Sequence, residues 1–158
     1  MLANINYKCR LDRDVLSSMN FPIGKPAQII DRCSKYTIVM FRSGKCRIMG
    51  CKKPVKLEKI PYNVKDVKLQ SITITTDLKQ TINLLQLKAI LGDECAYEPE
   101  LFPALRYIKY NPKCVNIFST GKVVILGIQT LLYQNIINSI VDDIKTKSMQ
   151  LVCNSYAI

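Results

Sequence analysis

The 158-residue chain contains no histidine and no tryptophan, and its 12 Asp and Glu are outnumbered by 23 Lys and Arg. Without histidine the commonest general base is missing, and no clustered carboxylates or nucleophile-base arrangement takes its place. An enzyme is therefore not expected. The seven cysteines (Cys9, Cys33, Cys46, Cys51, Cys95, Cys114 and Cys153) contain no CxxC pair, which together with the lack of histidine argues against structural zinc. They are odd in number and several lie in apolar alternations, so reduced thiols acting as small hydrophobes are expected. No stretch approaches the roughly 20 apolar residues of a membrane span, and residues 1–10 lack the apolar centre of a secretory signal. A soluble, intracellular protein is expected. Gly-Lys occurs at 24, 44 and 121, but no copy has the earlier Gly or the following Ser/Thr of a nucleotide-binding phosphate loop. Nothing in the chain calls for a cofactor or a metal.

What is present is positive charge. A net +11 on so small a body favours polyanions, nucleic acid first and an anionic membrane surface second. The length suits one compact domain or two halves sharing a sheet, which buries roughly 70% of the unfolded surface.

The chain also repeats itself. Phe41-Arg-Ser-Gly44-Lys45 and Ile48-Met-Gly50 recur as Phe118-Ser-Thr-Gly121-Lys122 and Ile125-Leu-Gly127, each shared residue displaced by 77 positions. A duplicated unit folds as two pseudo-symmetric halves suited to a two-fold ligand, of which duplex DNA is the commonest. We divide the chain into 1–66 and 67–158. In the second copy the β-branched run Ile72–Leu78 predicts a strand, and Thr81–Leu91 a helix with Ile82, Leu85 and Ala89 on one stripe. After an acidic, Pro-containing loop (92–103) come strands at Leu105–Tyr110, Cys114–Ser119 and Lys122–Leu126, separated by turns at Asn111-Pro112 and Thr120-Gly121. Leu132, Ile136, Ile137, Ile140, Val141 and Ile144 give residues 128–147 a helical stripe. Residues 147–158 form a short strand or a tail.

The first copy repeats this with losses. Strands are expected at Ala3–Leu11, Gln28–Arg32, Tyr36–Phe41 and Lys45–Met49, with a short helix Asp12–Met19 opened by an acidic cap. Prolines at 54 and 61 leave no room for a long second helix. The expected fold class is α+β: one curved antiparallel sheet with helices on its convex face. Alternation puts Thr37, Val39, Phe41, Lys45, Arg47 and Met49, and in the second copy Cys114, Asn116, Phe118, Lys122, Val124 and Leu126, on the open face. That face is too apolar for solvent and too basic at its ends for a core.

Tyr97-Glu-Pro-Glu-Leu-Phe-Pro103, Leu105, Tyr107, the Asn111-Pro112-Lys113 turn and Ile117-Phe118-x-x-Gly121-Lys122-x-Val124-x-x-Gly127 closely resemble the second repeat of the TATA-box-binding protein family. Cys9-Arg-Leu-Asp12 and Phe41-x-Ser43-Gly44-Lys45 resemble its first, and the similarity spans residues 3–145. The resemblance implies a saddle whose concave sheet binds the AT-rich minor groove of double-stranded DNA, with phenylalanines wedged between base steps to bend it. Phe102 and Phe118 match the wedge pair of the second repeat and Phe41 one wedge of the first. Counted without gaps, Lys25 stands where the fourth wedge belongs, and a lysine cannot intercalate as a phenyl ring does; Phe21 is the alternative.

Other departures follow the same comparison. Ser71, beside Thr73 on the central strand, stands for one of two central asparagines, and the other is Asn4 or Asn6. Met49 and Leu126 replace groove-facing threonines, Arg47 replaces an apolar residue, and Val39 and Val124 belong to the groove floor. Lys45, Lys122 and Arg42 sit at the hairpins, where they would neutralise phosphates. Glu98, Glu100 and Leu101 match the loop that engages a TFIIB-like factor and through it RNA polymerase. The basic helix behind a TFIIA-like contact is largely missing between Cys51 and Pro61. The resemblance thus implies a nuclear general transcription initiation factor, and the shortened first half fits a stripped-down system such as a virus carries at its own transcription site. Two further readings compete: an interaction subunit that kept the fold but lost sequence-specific binding, and a single-strand or RNA binder stacking bases on the same aromatics.

Overall fold

Alternate residues of β1 (Leu2–Leu11) face opposite ways: Ile5, Tyr7, Cys9 and Leu11 are buried, whereas Asn4, Lys8 and Arg10 are exposed. The computed structural model describes residues 1–23, 28–111 and 113–155, so Lys25 and Pro112 lie outside the described residues. The chain divides into two compact units, Leu2–Ile72 and a second that begins at Thr73.

In the first unit β1 is followed by α1 (Arg13–Ser18), β2 (Gln28–Arg32), β3 (Thr37–Phe41), β4 (Lys45–Cys51) and the opening part of β5 (Val64–Asp77), in the order β2-β3-β4-β1-β5. Ile38, Met40, Cys46 and Ile48 join Ile5 and Tyr7 in its core. Between the prolines only a 3-10 turn forms, Leu57–Lys59, and Ile60 is buried beside it. Asp12 does occupy the N-cap position of α1, but its side chain makes no cap bond. Its carboxylate instead pairs with Lys65 Nζ at 2.8 Å and accepts from Asn63 Nδ2 at 3.3 Å.

Two of the cysteines depart from expectation. Cys9 and Cys46 are direct cross-strand partners with Cα atoms 5.1 Å apart, well within bridging distance, and they form a disulfide. Cys33, Cys51, Cys95 and Cys114 are free thiols.

The second unit runs from the end of β5 through α2 (Leu84–Leu91), β6 (Cys95–Ala96), β7 (Ala104–Tyr107), β8 (Cys114–Phe118), β9 (Lys122–Ile128) and α3 (Tyr133–Ser155), in the strand order β5-β9-β8-β7-β6. Asn83 caps α2, its Oδ1 accepting from Gln86 N–H at 3.1 Å. That start turns Leu84, Leu87 and Leu91 inward and leaves Leu85 68% exposed and Ala89 exposed, so the expected Ile82-Leu85-Ala89 stripe is wrong. Ile82 is buried, but ahead of the helix. In α3, among residues whose burial is described, Ile137, Ile140, Ile144 and Ser148 are buried; each such isoleucine contributes roughly 1.5–3 kcal/mol. Leu132 precedes the helix and is 84% exposed, and the helix continues through residues expected to be a strand or tail. No helix of the described residues is long and apolar enough to cross a membrane.

The repeated hairpins are built alike. Gly44 N–H donates to Phe41 O and Gly121 N–H to Phe118 O, each at 2.9 Å, with φ of +83° and +85°. Each glycine carbonyl accepts from a leucine amide ending an earlier strand, Leu11 to Gly44 at 2.8 Å and Leu78 to Gly121 at 2.9 Å. Their surroundings differ. A Cβ on Gly44 would meet only Leu16 Cδ2 at 3.5 Å, whereas on Gly121 it would overlap the Gln80 carbonyl oxygen. Gly44→Ala should therefore cost about 1–2 kcal/mol from its left-handed backbone alone. Gly121→Ala should cost about 1–3 kcal/mol more, because backbone must move. Urea unfolding of both variants tests this, and equal losses would mean that the Gln80 backbone yields freely.

One carboxylate ties α3 to β7 and to the 3-10 turn that follows it, Ile108–Tyr110. Asp143 Oδ2 accepts from Tyr110 Oη at 2.7 Å, Tyr107 Oη at 2.9 Å and Lys109 Nζ at 2.9 Å. Burial alone would raise the Asp143 carboxyl, but donation by Tyr110, Lys109 and Tyr107 outweighs it and holds it below its ordinary 3.8. Burial, then the bond to Asp143, pushes Tyr107 and Tyr110 above their ordinary 10.0. The depressed carboxyl contributes stability that is present above pH 3.8 and lost as pH falls through its folded value. The raised tyrosines contribute stability that is present below pH 10.0 and lost as pH climbs past it. Thermal melts across pH should show both limbs, with Asp143→Asn shrinking the acid limb and Tyr107→Phe the alkaline one.

Candidate nucleic-acid interface

In the first unit, strand register assembles one solvent-facing surface. Val39 faces Ile30 on one side and Arg47 on the other, Arg47 faces Lys8, and Arg10 faces Lys45. Phe41 is paired with Gln28 and half-buried, Met49 is paired with Thr37, and Val39 is buried between its neighbours. Lys8, Arg10, Phe41, Lys45, Arg47 and Lys68 line a concavity of about 820 Å³ in which Asp66 is the one acid. Lys8 and Arg10 escaped the sequence reading although the alternation of β1 was visible; their opposition to β4 is a matter of register.

Opposite Asn6, β4 carries one residue too many, a bulge at Met49-Gly50. The Asn6 amide fills the gap, accepting from Gly50 N–H at 3.1 Å and donating to Ser71 Oγ at 3.3 Å. Of the two candidate asparagines, Asn6 is therefore the one bonded to Ser71, and Asn4 is exposed on the same strand. The Arg42 guanidinium donates to Pro22 O at 3.2 Å. Phe21 shares a smaller concavity of about 400 Å³ with Leu16, Met19 and Arg42, and is absent from the one that Phe41 lines.

In the second unit the matching surface is more apolar. Asn116 faces Val124, Cys114 faces Leu126 and Ala104 faces Phe118, with exposed Arg106 beside Asn116 as a cation the sequence reading missed. Thr73 lies between buried Ile72 and Ile74, hence on the side away from the core. Lys122 is exposed at the hairpin. Phe102 packs edge-on against Phe118, ring centroids 6.2 Å apart at 66°, and is still 43% exposed. The Glu98 carbonyl accepts from both Leu101 N–H at 3.0 Å and Phe102 N–H at 2.9 Å, a turn that presents Leu101 80% exposed between exposed Glu98 and Glu100.

Residues 66–144 match the family model described as Transcription factor TFIID (or TATA-binding protein, TBP). The chain belongs to the TBP family. The TATA-box-binding proteins of Candida albicans and Schizosaccharomyces pombe are each 33% identical over 147 residues, covering 80% of this chain and 62% and 64% of those proteins. The TBP-related factor of Drosophila melanogaster is 33% identical over 138 residues, 78% of this chain and 56% of that protein. The chain thus spans less than two thirds of the length of these relatives. The solved structure of Methanococcus jannaschii TBP aligns at TM-score 0.63 and 26% identity, covering 92% of this chain and 97% of that one. The α+β fold expected from the sequence is the TBP fold.

Edge-on aromatic pairs are worth about 0.5–1.5 kcal/mol beyond the area they bury. A double-mutant cycle on Phe102→Ala and Phe118→Ala, read by denaturant unfolding, should return a coupling in that range. A coupling near zero would mean that the two rings are held independently.

Proposed function

We propose that this chain acts as a TBP-like general transcription initiation factor, in which repeats 1–66 and 67–158 bind the minor groove of AT-rich promoter DNA and bend it. The observation that carries this reading is the Phe102–Phe118 pair, two phenyl rings stacked edge-on with one left 43% exposed beside a surface of Val124 and Leu126. A buried core has no use for a ring left that open, whereas a wedge between base steps needs an apolar ring already presented to solvent. Phe41 serves as the corresponding wedge of the first repeat. Met49, Leu126, Val39, Val124, Ser71, Thr73 and Asn4 contact the groove floor, with Lys45, Lys122 and Arg42 at the phosphates; Lys25, which by sequence count takes the fourth wedge position, is also assigned to nucleic-acid binding. Exposed Leu101, flanked by Glu98 and Glu100, suits a TFIIB-like factor that brings in RNA polymerase. The site of action is the nucleus or a viral transcription site, and no catalytic step is involved. The 3-10 turn at Leu57–Lys59 offers little for a TFIIA-like contact.

A second reading, an interaction subunit without sequence-specific binding, is favoured by one observation. Ser71 and Asn6 bond to each other, which occupies polar groups that would otherwise reach base edges. Anisotropy with AT-rich and GC-rich duplexes across a salt series separates the two. The first reading predicts at least about tenfold preference for AT-rich DNA, equivalent to about 1.4 kcal/mol, still present at physiological salt. Equal affinities that vanish by physiological salt would select the second. Phe102→Ala with Phe118→Ala should abolish DNA bending measured by energy transfer, and an unchanged bend would sink the wedge assignment.

A further inference from the structure

Across β1 and β4, Lys8 stands directly opposite Arg47, and Arg10 directly opposite Lys45. All four are exposed on one face of the first unit. Like charges at directly opposed positions destabilise a sheet, so folding gains nothing from this choice. Nor do local carboxylates relieve it. The ion pairs among the described residues are Lys65–Asp12, Lys79–Asp77 and Lys109–Asp143, none of which involves the quartet. In the concavity that the four line, Lys68 adds a fifth cation and Asp66 is the lone acid.

On the reverse face the Cys9–Cys46 disulfide joins the same two strands at the step between the two like-charge pairs. The array is thus held together where its charges push apart. Paired residues lie about 5 Å apart and successive pairs about 7 Å along the strand, an array larger than one phosphate group needs. In the second unit Val124 stands by the repeat where Arg47 stands in the first, and the β8–β9 rows pair Asn116 with Val124 and Cys114 with Leu126, with no facing cations.

We propose that Lys8, Arg10, Lys45 and Arg47 form a cradle for consecutive phosphates of a nucleic-acid backbone. The hold of these four residues is ionic and indifferent to base sequence, so discrimination is left to the wedge and groove-facing residues. Two of the four are arginines, whose planar forks suit phosphate oxygens, and Phe41 lines the same concavity as a surface for a base or sugar. These features favour nucleic acid over an acidic protein segment. The inference rests on the nucleic-acid reading for the source of the phosphates, but not on minor-groove specificity.

The test uses the full chain, an AT-rich duplex, a GC-rich duplex and inorganic tripolyphosphate as a base-free competitor, between 50 and 200 mM salt. Lys8→Gln with Arg47→Gln should flatten the slope of log affinity against log salt by about 1.8, or about 0.9 per lost phosphate contact. The quadruple glutamine variant should flatten it further and lose competition by tripolyphosphate. Relief of repulsion should raise the melting temperature of either variant at low salt, which verifies that they fold. A changed slope with equal affinity for both duplexes leaves the cradle standing and removes the minor-groove reading. An AT preference with an unchanged slope in the quadruple variant does the reverse. The cradle is also overturned if the wild-type chain binds neither duplex nor tripolyphosphate, or if polyglutamate displaces duplex better than tripolyphosphate at equal charge.

Discussion

Two backbone hydrogen bonds set the frame on which everything else is arranged: the Leu11 amide to the Gly44 carbonyl and the Leu78 amide to the Gly121 carbonyl. Each fastens the tip of a hairpin to the end of a strand lying far from it in sequence. The hairpin can turn only because its glycine adopts a positive φ, and the lysine that follows is thereby fixed at the start of the returning strand. Phe41 and Phe118, whose carbonyls accept the turn-closing bonds, are fixed at the other side. An aromatic ring and a cation are thus delivered to the same end of a strand pair in both units, before any side-chain packing is considered.

From that common frame the two units diverge in what they offer. The second devotes its surface to apolar contact, with Phe102 propped on Phe118 and Val124 and Leu126 alongside. The first places cations where the second has uncharged side chains, since Arg47 aligns by the repeat with Val124 and Lys8 extends the row. Helical support diverges too. α2 and α3 pack on each other in the second unit, whereas the described residues of the first have a six-residue helix and a 3-10 turn. The duplicated frame thus carries unlike surfaces, largely apolar in the second unit and cationic in the first.

How much of this was legible in the sequence follows from the range of each interaction. The hairpins were readable because glycine turn chemistry is local, and so was the missing first-unit helix, which prolines forbid. The inward stripe of α2 was misread because Asn83 begins the helix later than the apolar periodicity suggested, which shifts its phase. The Cys9–Cys46 link and the opposition of Lys8 to Arg47 depend on cross-strand register, which no single strand encodes. Asp143 as a common acceptor for Tyr107, Lys109 and Tyr110 was likewise invisible, since it joins residues more than 30 positions apart. The wedge candidates were named from a family resemblance, and their edge-on contact emerged only with the fold.

The covalent link beneath the charged quartet has a consequence for the energetics of recognition. Cations on flexible loops must be gathered against their mutual repulsion at the moment a ligand arrives, and that work is subtracted from the affinity. Strands locked by Cys9–Cys46 do this work once, during folding. The first unit is therefore a preorganised electrostatic surface, on which the proposed phosphate ligand would release stored repulsion instead of creating it.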